Sequence, residues 1–300
     1  MLRNTAAGSK AKTLLTSMLC TSFLAIVPAA VSAQDVGASE RVNFSGKLRM
    51  LSQRVAAAAC NYGAGVESDG SLAVLVGAQK EFIQITNGLE FGDAELNMNG
   101  EETRRKTIRA IHNLHEEWNA MSDAIDNIVN AADVDANVKY INEHNMAVLS
   151  HAKVLVSEIS GQYSNPFEMQ QANALLVDYS GRQRMLTQKM SKESCQVWSG
   201  NADASEALKG TMQMFEVTLV ALRSGNANAG IRPAPNANIG AGLTDIWEDW
   251  VALKPTLEKA VANEIVDPAQ RADVFAKLNV MLRDMNAVVG LYTIFGKTGA

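Results

Sequence analysis

The chain has 300 residues, 47% of them hydrophobic and 20% charged, which is enough apolar content to bury one large core or two ordinary ones and excludes an intrinsically disordered protein. Its formal net charge of -5 becomes about -8 once residues 1–33 are set aside, because they carry Arg3, Lys10 and Lys12 and no acid. So acidic a chain is a poor partner for nucleic acid, and no stretch after residue 33 is apolar enough to cross a bilayer.

In chain order, the three N-terminal cations precede an apolar run from Leu14 to Val27, then Pro28 and the small-residue ending Val31-Ser32-Ala33. That is the layout of a cleavable secretory signal over 1–33, cut after Ala33, and it predicts a periplasmic mature protein. The run falls short of the roughly 20 residues that span a membrane. Two cysteines remain, Cys60 and Cys195. An oxidising compartment permits a disulfide between them; the alternative is two small buried thiols.

From there the periodicity is helical almost throughout, with few alternating β-branched runs. Helices are expected near 35–66, 70–90, 102–132 and 136–161, and again near 168–199, 203–223, 241–263 and 269–295. Pro166 reads as a mid-chain break, the stretch from Ser224 to Gly242 as a surface loop, and Pro255 and Pro268 as marks of helix starts. The two halves are copies of one another. Residues 43–58 read NFSGKLRMLSQRVAAA and residues 178–193 read DYSGRQRMLTQKMSKE, and Cys60 and Cys195 each lie 14 residues after the motif glycine. Farther along, Phe82 aligns with Phe215, Leu89 with Leu222 and Trp118 with Trp250. The expected architecture is all-α: two tandem up-down four-helix bundles, 34–163 and 164–300, related by an internal pseudo-twofold repeat.

On a helical wheel Phe44, Leu48, Leu51, Val55 and Tyr62 form the bundle-facing stripe, while Gly46, Arg49, Gln53, Ala57 and Cys60 share the other side, flanked by Met50 and Arg54. The second copy places Gly181, Arg184, Gln188, Lys192 and Cys195 there, flanked by Met185 and Lys189. A mid-helix glycine costs about 1 kcal/mol relative to alanine, so its presence in both copies points to close backbone approach or a local break. Two such helices packed glycine to glycine bring Arg49 and Arg184 together. Guanidinium groups converging on a dry seam repel unless an anion lies between them, and their planar forks suit nitrate, nitrite, a carboxylate or sulfate. Against this stands the ordinary case of solvated or carboxylate-paired surface arginines.

These motifs resemble the first helix of the N-terminal domain of type IV pilus methyl-accepting chemotaxis transducers, a domain type shared with the periplasmic sensors of NarX-like nitrate/nitrite histidine kinases. The likeness covers essentially everything after the signal. It implies bundles that pair through their first helices and hold nitrate at the twofold axis, with Arg49 and Arg184, and secondarily Arg54 and Lys189, as ligand-binding positions. Lys189 departs from the pattern by losing the guanidinium fork. The chain also carries no membrane helix, signalling coiled coil or kinase region after the domain, so a membrane receptor or kinase is the expected partner. The tandem arrangement predicts a monomer with an internal pseudo-dimer in place of a homodimer.

The ligand-binding set expected from residues and resemblance together is Gly46, Arg49, Gln53, Arg54, Gly181, Arg184, Gln188 and Lys189. No catalytic residues, metal site or cofactor are expected: His112 and His115 have an i, i+3 spacing but no counterpart in the second copy, and the acidic pairs beside Trp118 and Trp250 lack a nucleophile. The functional expectation is a soluble periplasmic anion sensor acting on a membrane partner. The alternative is a structural or adaptor module that binds a protein in the envelope or a pilus-linked system.

Overall fold

The computed structural model describes residues 36–163 and 171–298; the expected signal and Pro166 lie outside them. Within this range the chain forms eight α-helices: α1 (Ala38–Gly63), α2 (Ser68–Phe91), α3 (Arg105–Val129), α4 (Val134–Tyr163), α5 (Gln171–Trp198), α6 (Ala204–Ser224), α7 (Ala237–Val261) and α8 (Pro268–Thr298). The fold is all-α, as the periodicity requires.

The outer helices show why. In α3 the buried positions are Thr107, Ala110, Ile111, Leu114, Trp118, Met121, Ala124, Ile125 and Ile128, a single stripe at three- and four-residue steps with polar residues elsewhere. Helices α1 and α5 are different. Burial runs without a break from Leu48 to Gln53 and from Val55 to Asn61, so α1 has no solvent face along its middle. It packs on α2 and α4 of its own bundle and on α5 of the other, while α5 packs on α6, α8 and α1. The small, polar side of the wheel is therefore turned inward as well, onto the repeat partner. Alanines 56–59 of α1 lie where Ser191, Lys192, Glu193 and Ser194 stand in α5, and all eight are buried. Small side chains on one helix make room for polar ones on the other.

The internal repeat extends through every element. Phe82 stacks on Trp118 with ring centroids 3.6 Å apart, and Phe215 meets Trp250 at 5.1 Å with a tilt of 55°. The tilt accompanies a substitution: Glu216 accepts from Trp250 Nε1 at 3.2 Å, whereas the equivalent residue beside Trp118 is Ile83. After α2 and after α6 the chain turns through Gly92 (φ +85°) and Gly225 (φ +84°) into matching bridges, Asp93 with Met98 and Asn226 with Ile231. A side chain at Gly92 would press on the carbonyls of Gly100 and Met98 about 3 Å away, which leaves the position to glycine.

Two readings of the chain need correction. Helix α7 starts at Ala237 because Asn236 accepts from the Ile239 amide and caps it, so the loop is shorter than its Gly/Asn composition suggests. Pro255 lies inside α7, not at a start. Val251, whose carbonyl loses its amide partner, is 52% exposed, so the proline falls on the solvent side of the helix. Pro268 does open α8.

The sulfurs of Cys60 and Cys195 are bonded, with Cα atoms 6.1 Å apart, and the bridge clamps α1 to α5 near their C-terminal ends. Closing a loop of 135 residues removes much denatured-state entropy. Replacing both cysteines with serine is expected to cost about 2–4 kcal/mol in chemical denaturation, with both thiols of the wild type resisting alkylation until reductant is added. Equal stability of the two proteins would contradict a covalent clamp.

Candidate functional site

The seam between α1 and α5 brings the two motif arginines to one place. A Cβ built on Gly46 would lie 3.6 Å from Arg184 Nη2 and 3.7 Å from Arg49 Nη2, and one built on Gly181 would lie 3.5 Å and 3.9 Å from the same two atoms. Both guanidinium groups thus lie beside both glycines, in a notch that a methyl group on either would line at ordinary contact distance. Arg49 and Arg184 are both buried.

Each arginine is held from across the seam. Arg49 donates from Nη1 and Nη2 to Asp178 Oδ1, both at 3.3 Å, and Arg184 donates from Nη1 to Asn43 Oδ1 at 3.3 Å and to Asn286 Oδ1 of α8 at 3.2 Å. Asn43 and Asp178 occupy the same place in the repeat, so the contacts are reciprocal about a pseudo-twofold axis. Burial lowers both guanidinium pKa values, that of Arg184 to about 10 with Arg49 as a further cause, which still leaves it charged at neutral pH. Lys153 of α4 is also held below its usual range, first by burial and then by the positive charges of Lys189, Arg49 and Arg182. A protein that is acidic as a whole gathers cations at this seam.

The other expected ligand residues are distributed elsewhere. One turn along α1, Gln53 belongs to a second polar cluster: its Oε1 accepts from Lys192 Nζ at 2.9 Å, and Asn145 Oδ1 accepts from Lys192 at 3.0 Å and from Gln53 at 3.2 Å. Gln188 turns to α8 and donates to the Leu278 carbonyl at 3.5 Å. Lys189 faces α6, with Thr211 Oγ1 at 2.9 Å and Glu193 at 3.0 Å, and the charge felt by Arg54 is that of Glu81 on α2. The structure therefore unites Gly46, Arg49, Gly181 and Arg184, sets Gln53 and Gln188 one turn away, and sends Arg54 and Lys189 to the flanks. His112 pairs with Glu90 at 2.8 Å on the surface, and among the described residues no group of His, Cys, Asp and Glu is arranged to hold a metal ion.

Asn43, Asp178 and Asn286 carry the geometry and were not singled out by the wheel. The first two had a signal, a polar residue three positions before the glycine in both copies; Asn286, far along the chain on α8, had none.

The profile of the type IV pili methyl-accepting chemotaxis transducer N-terminal family matches residues 30–143 and 167–275, in each case from just before a motif helix into the first part of a fourth helix. The chain belongs to that family. No curated protein matches it. The match occurring twice makes the chain two tandem copies of a transducer N-terminal domain, a sensory, non-catalytic domain of the periplasmic type whose signal goes to a membrane partner. Among the described residues no helix is long and apolar enough to cross a membrane. In this transducer domain pair, the first helices of the two copies are the ones that meet.

Lys192 provides a test of how the seam is built. The residue is 4% exposed, and burial pushes its pKa down to about 8 from 10.5. A base with a lowered folded pKa binds fewer protons folded than unfolded between those values, so stability rises with pH across that window and the burial penalty is complete below about 8. Relative to Lys192→Met, the wild type is expected to gain ~3 kcal/mol in urea unfolding between pH 7.5 and 10.5. Parallel pH curves for the two proteins would show that the amine is not desolvated.

Proposed function

We propose that the domain pair senses a small anion held between Arg49 and Arg184, and that occupancy alters the fit of α1 against α5 and is relayed to a membrane partner. Nitrate and nitrite lead the ligand list through the resemblance to NarX-like sensors; a small carboxylate fits the same chemistry. The observation that carries this reading is the convergence of two buried guanidinium groups on the same two glycines. Like charges so placed repel in a medium of reduced dielectric, and an oxyanion between them turns that repulsion into two charge-assisted sets of hydrogen bonds. Gly46, Arg49, Gly181 and Arg184 form the core of the proposed site; Gln53 and Gln188 extend it by one turn, and Arg54 and Lys189 contribute charge from its flanks. The reading also includes export through residues 1–33, a periplasmic location, a monomeric state and two domains meeting at residue 163.

The adaptor reading draws on Met214, Val217 and Val220, exposed at three-residue steps along α6. A partner retained in a pull-down regardless of added anion would favour it.

Calorimetry on the purified protein is expected to give heat with sodium nitrate or nitrite at millimolar concentrations or below, lost on combining Arg49→Ala with Arg184→Ala. Silence up to several millimolar with nitrate, nitrite, acetate and sulfate would end the ligand claim, and binding that survives the double variant would move the site elsewhere. A more discriminating variant joins Gly46→Ala and Gly181→Ala. Each added methyl makes ordinary contacts of 3.5–3.9 Å, so the protein should fold and be at least as stable, by up to about 1 kcal/mol per site, while the filled notch excludes the anion.

A further inference from the structure

The two arginines stand at equivalent positions but are held by groups of different charge. Arg184 reaches across the seam to the Asn43 amide; Arg49 reaches across it to the Asp178 carboxylate, at the position that Asn43 occupies in the first copy. The fourth helices repeat the inequality, with Asn286 accepting from Arg184 and the Lys153 ammonium acting on the Arg49 side. Asp178 is shared between two cations. Its Oδ1 accepts from Arg49, and its Oδ2 accepts from Arg182, one turn along α5 and half exposed. The Nη2 atom that Arg49 gives to Asp178 is also the atom 3.7 Å from the Gly46 notch. Any anion seated between the guanidinium groups therefore shares the Arg49 Nη2 donor nitrogen with Asp178.

We infer that Asp178 is a tethered counter-ion that sets the affinity and the charge preference of the anion site. This inference rests on the anion-sensing reading above and adds its regulation. As part of the chain, the carboxylate competes at high effective concentration and weakens the binding of any external anion. Its negative charge, a few ångströms from the seat, opposes a dianion about twice as strongly as a monoanion, so it shifts the preference of the site toward monoanions such as nitrate relative to the same site with a neutral residue at 178. When a monoanion takes Arg49, Asp178 keeps Arg182 as its partner and never becomes an unpaired buried charge. The exchange releases the Arg49–Asp178 tie between α1 and α5. The remaining charges facing the seat are Arg184 and Arg182 on α5 and Lys153 on α4, with Glu81 of α2 felt by Arg184.

The test is isothermal titration calorimetry of sodium nitrate and sodium sulfate, at constant ionic strength, into the wild type, Asp178→Asn and Asn43→Asp. Asp178→Asn should tighten nitrate about tenfold and sulfate by a larger factor, and Asn43→Asp should weaken both, sulfate more. A purely structural role for Asp178 would change both affinities by the same factor, so an unchanged nitrate-to-sulfate ratio overturns the inference, as does nitrate binding that neither variant moves by more than twofold. In either of those results the anion site itself stands. If neither anion binds the wild type or Asp178→Asn, the sensing reading fails and the counter-ion inference fails with it. Binding that appears only in Asp178→Asn likewise ends the sensing reading, because the wild type then holds neither anion.

Discussion

Two guanidinium groups of like charge share one pair of glycine notches inside a helix seam, and the rest of the molecule accommodates that placement. A cation withdrawn from water must recover its lost hydration from fixed polar groups. Arg49 recovers it from Asp178 and Arg184 from Asn43 and Asn286, which lie on different helices. Those groups stay in reach only if α1 and α5 are packed on several sides, and both helices are. The outer helices supply the walls: α2 and α4 around α1, α6 and α8 around α5. The Cys60–Cys195 bridge and the Lys192 bonds to Gln53 and Asn145 tie the same two helices farther along. The seam is thus a polar, cross-linked strip within one apolar core to which both copies contribute.

Duplication within one chain frees the halves to differ, and the differences concentrate at the seam. Spaced as the buried residues of α4 and α8 are, Asn145 of the first copy corresponds to Leu278 of the second, and Lys192 corresponds to Ala57. One end of the strip therefore has a buried ammonium with two amide oxygens, while the symmetry-related end has apolar side chains and the lone Gln188 amide. Near the glycines, the exchange of Asn43 for Asp178 adds a single negative charge on one side. A homodimer would have to carry each change twice; in a low-dielectric seam two carboxylates, or two lysines, would face their own copies. A tandem chain avoids that duplication and can build a site with one acidic and one neutral edge.

How much of this was legible follows from what a helical wheel contains. It places Gly46, Arg49, Gln53 and Cys60 on one side of a helix, and the repeat of that pattern 135 residues on pairs each with a counterpart. The pairing of glycine with glycine and arginine with arginine follows once the two helices are laid side by side. A wheel carries no information on which neighbour fills a given sector. Arg54 and Lys189, one position past the glutamines, point toward α2 and α6, a sideways direction that a one-helix projection shows only as a flank. Pro255 misled for a related reason: a proline is tolerated inside a helix when the orphaned carbonyl faces solvent, and exposure is not written in the local sequence.

The sequence by itself determined the all-α class, the element order, the internal repeat and the face on which the arginines lie, because helical periodicity and motif spacing are local properties of the chain. Only the tertiary structure decided that this face is buried against its own copy, that the guanidinium groups share the glycine notches, and that Asp178, Asn43 and Asn286 hold them. Those contacts join residues more than a hundred positions apart, and they depend on the register and crossing of α1, α5 and α8, which are set by the summed packing of the bundles and not by any one segment.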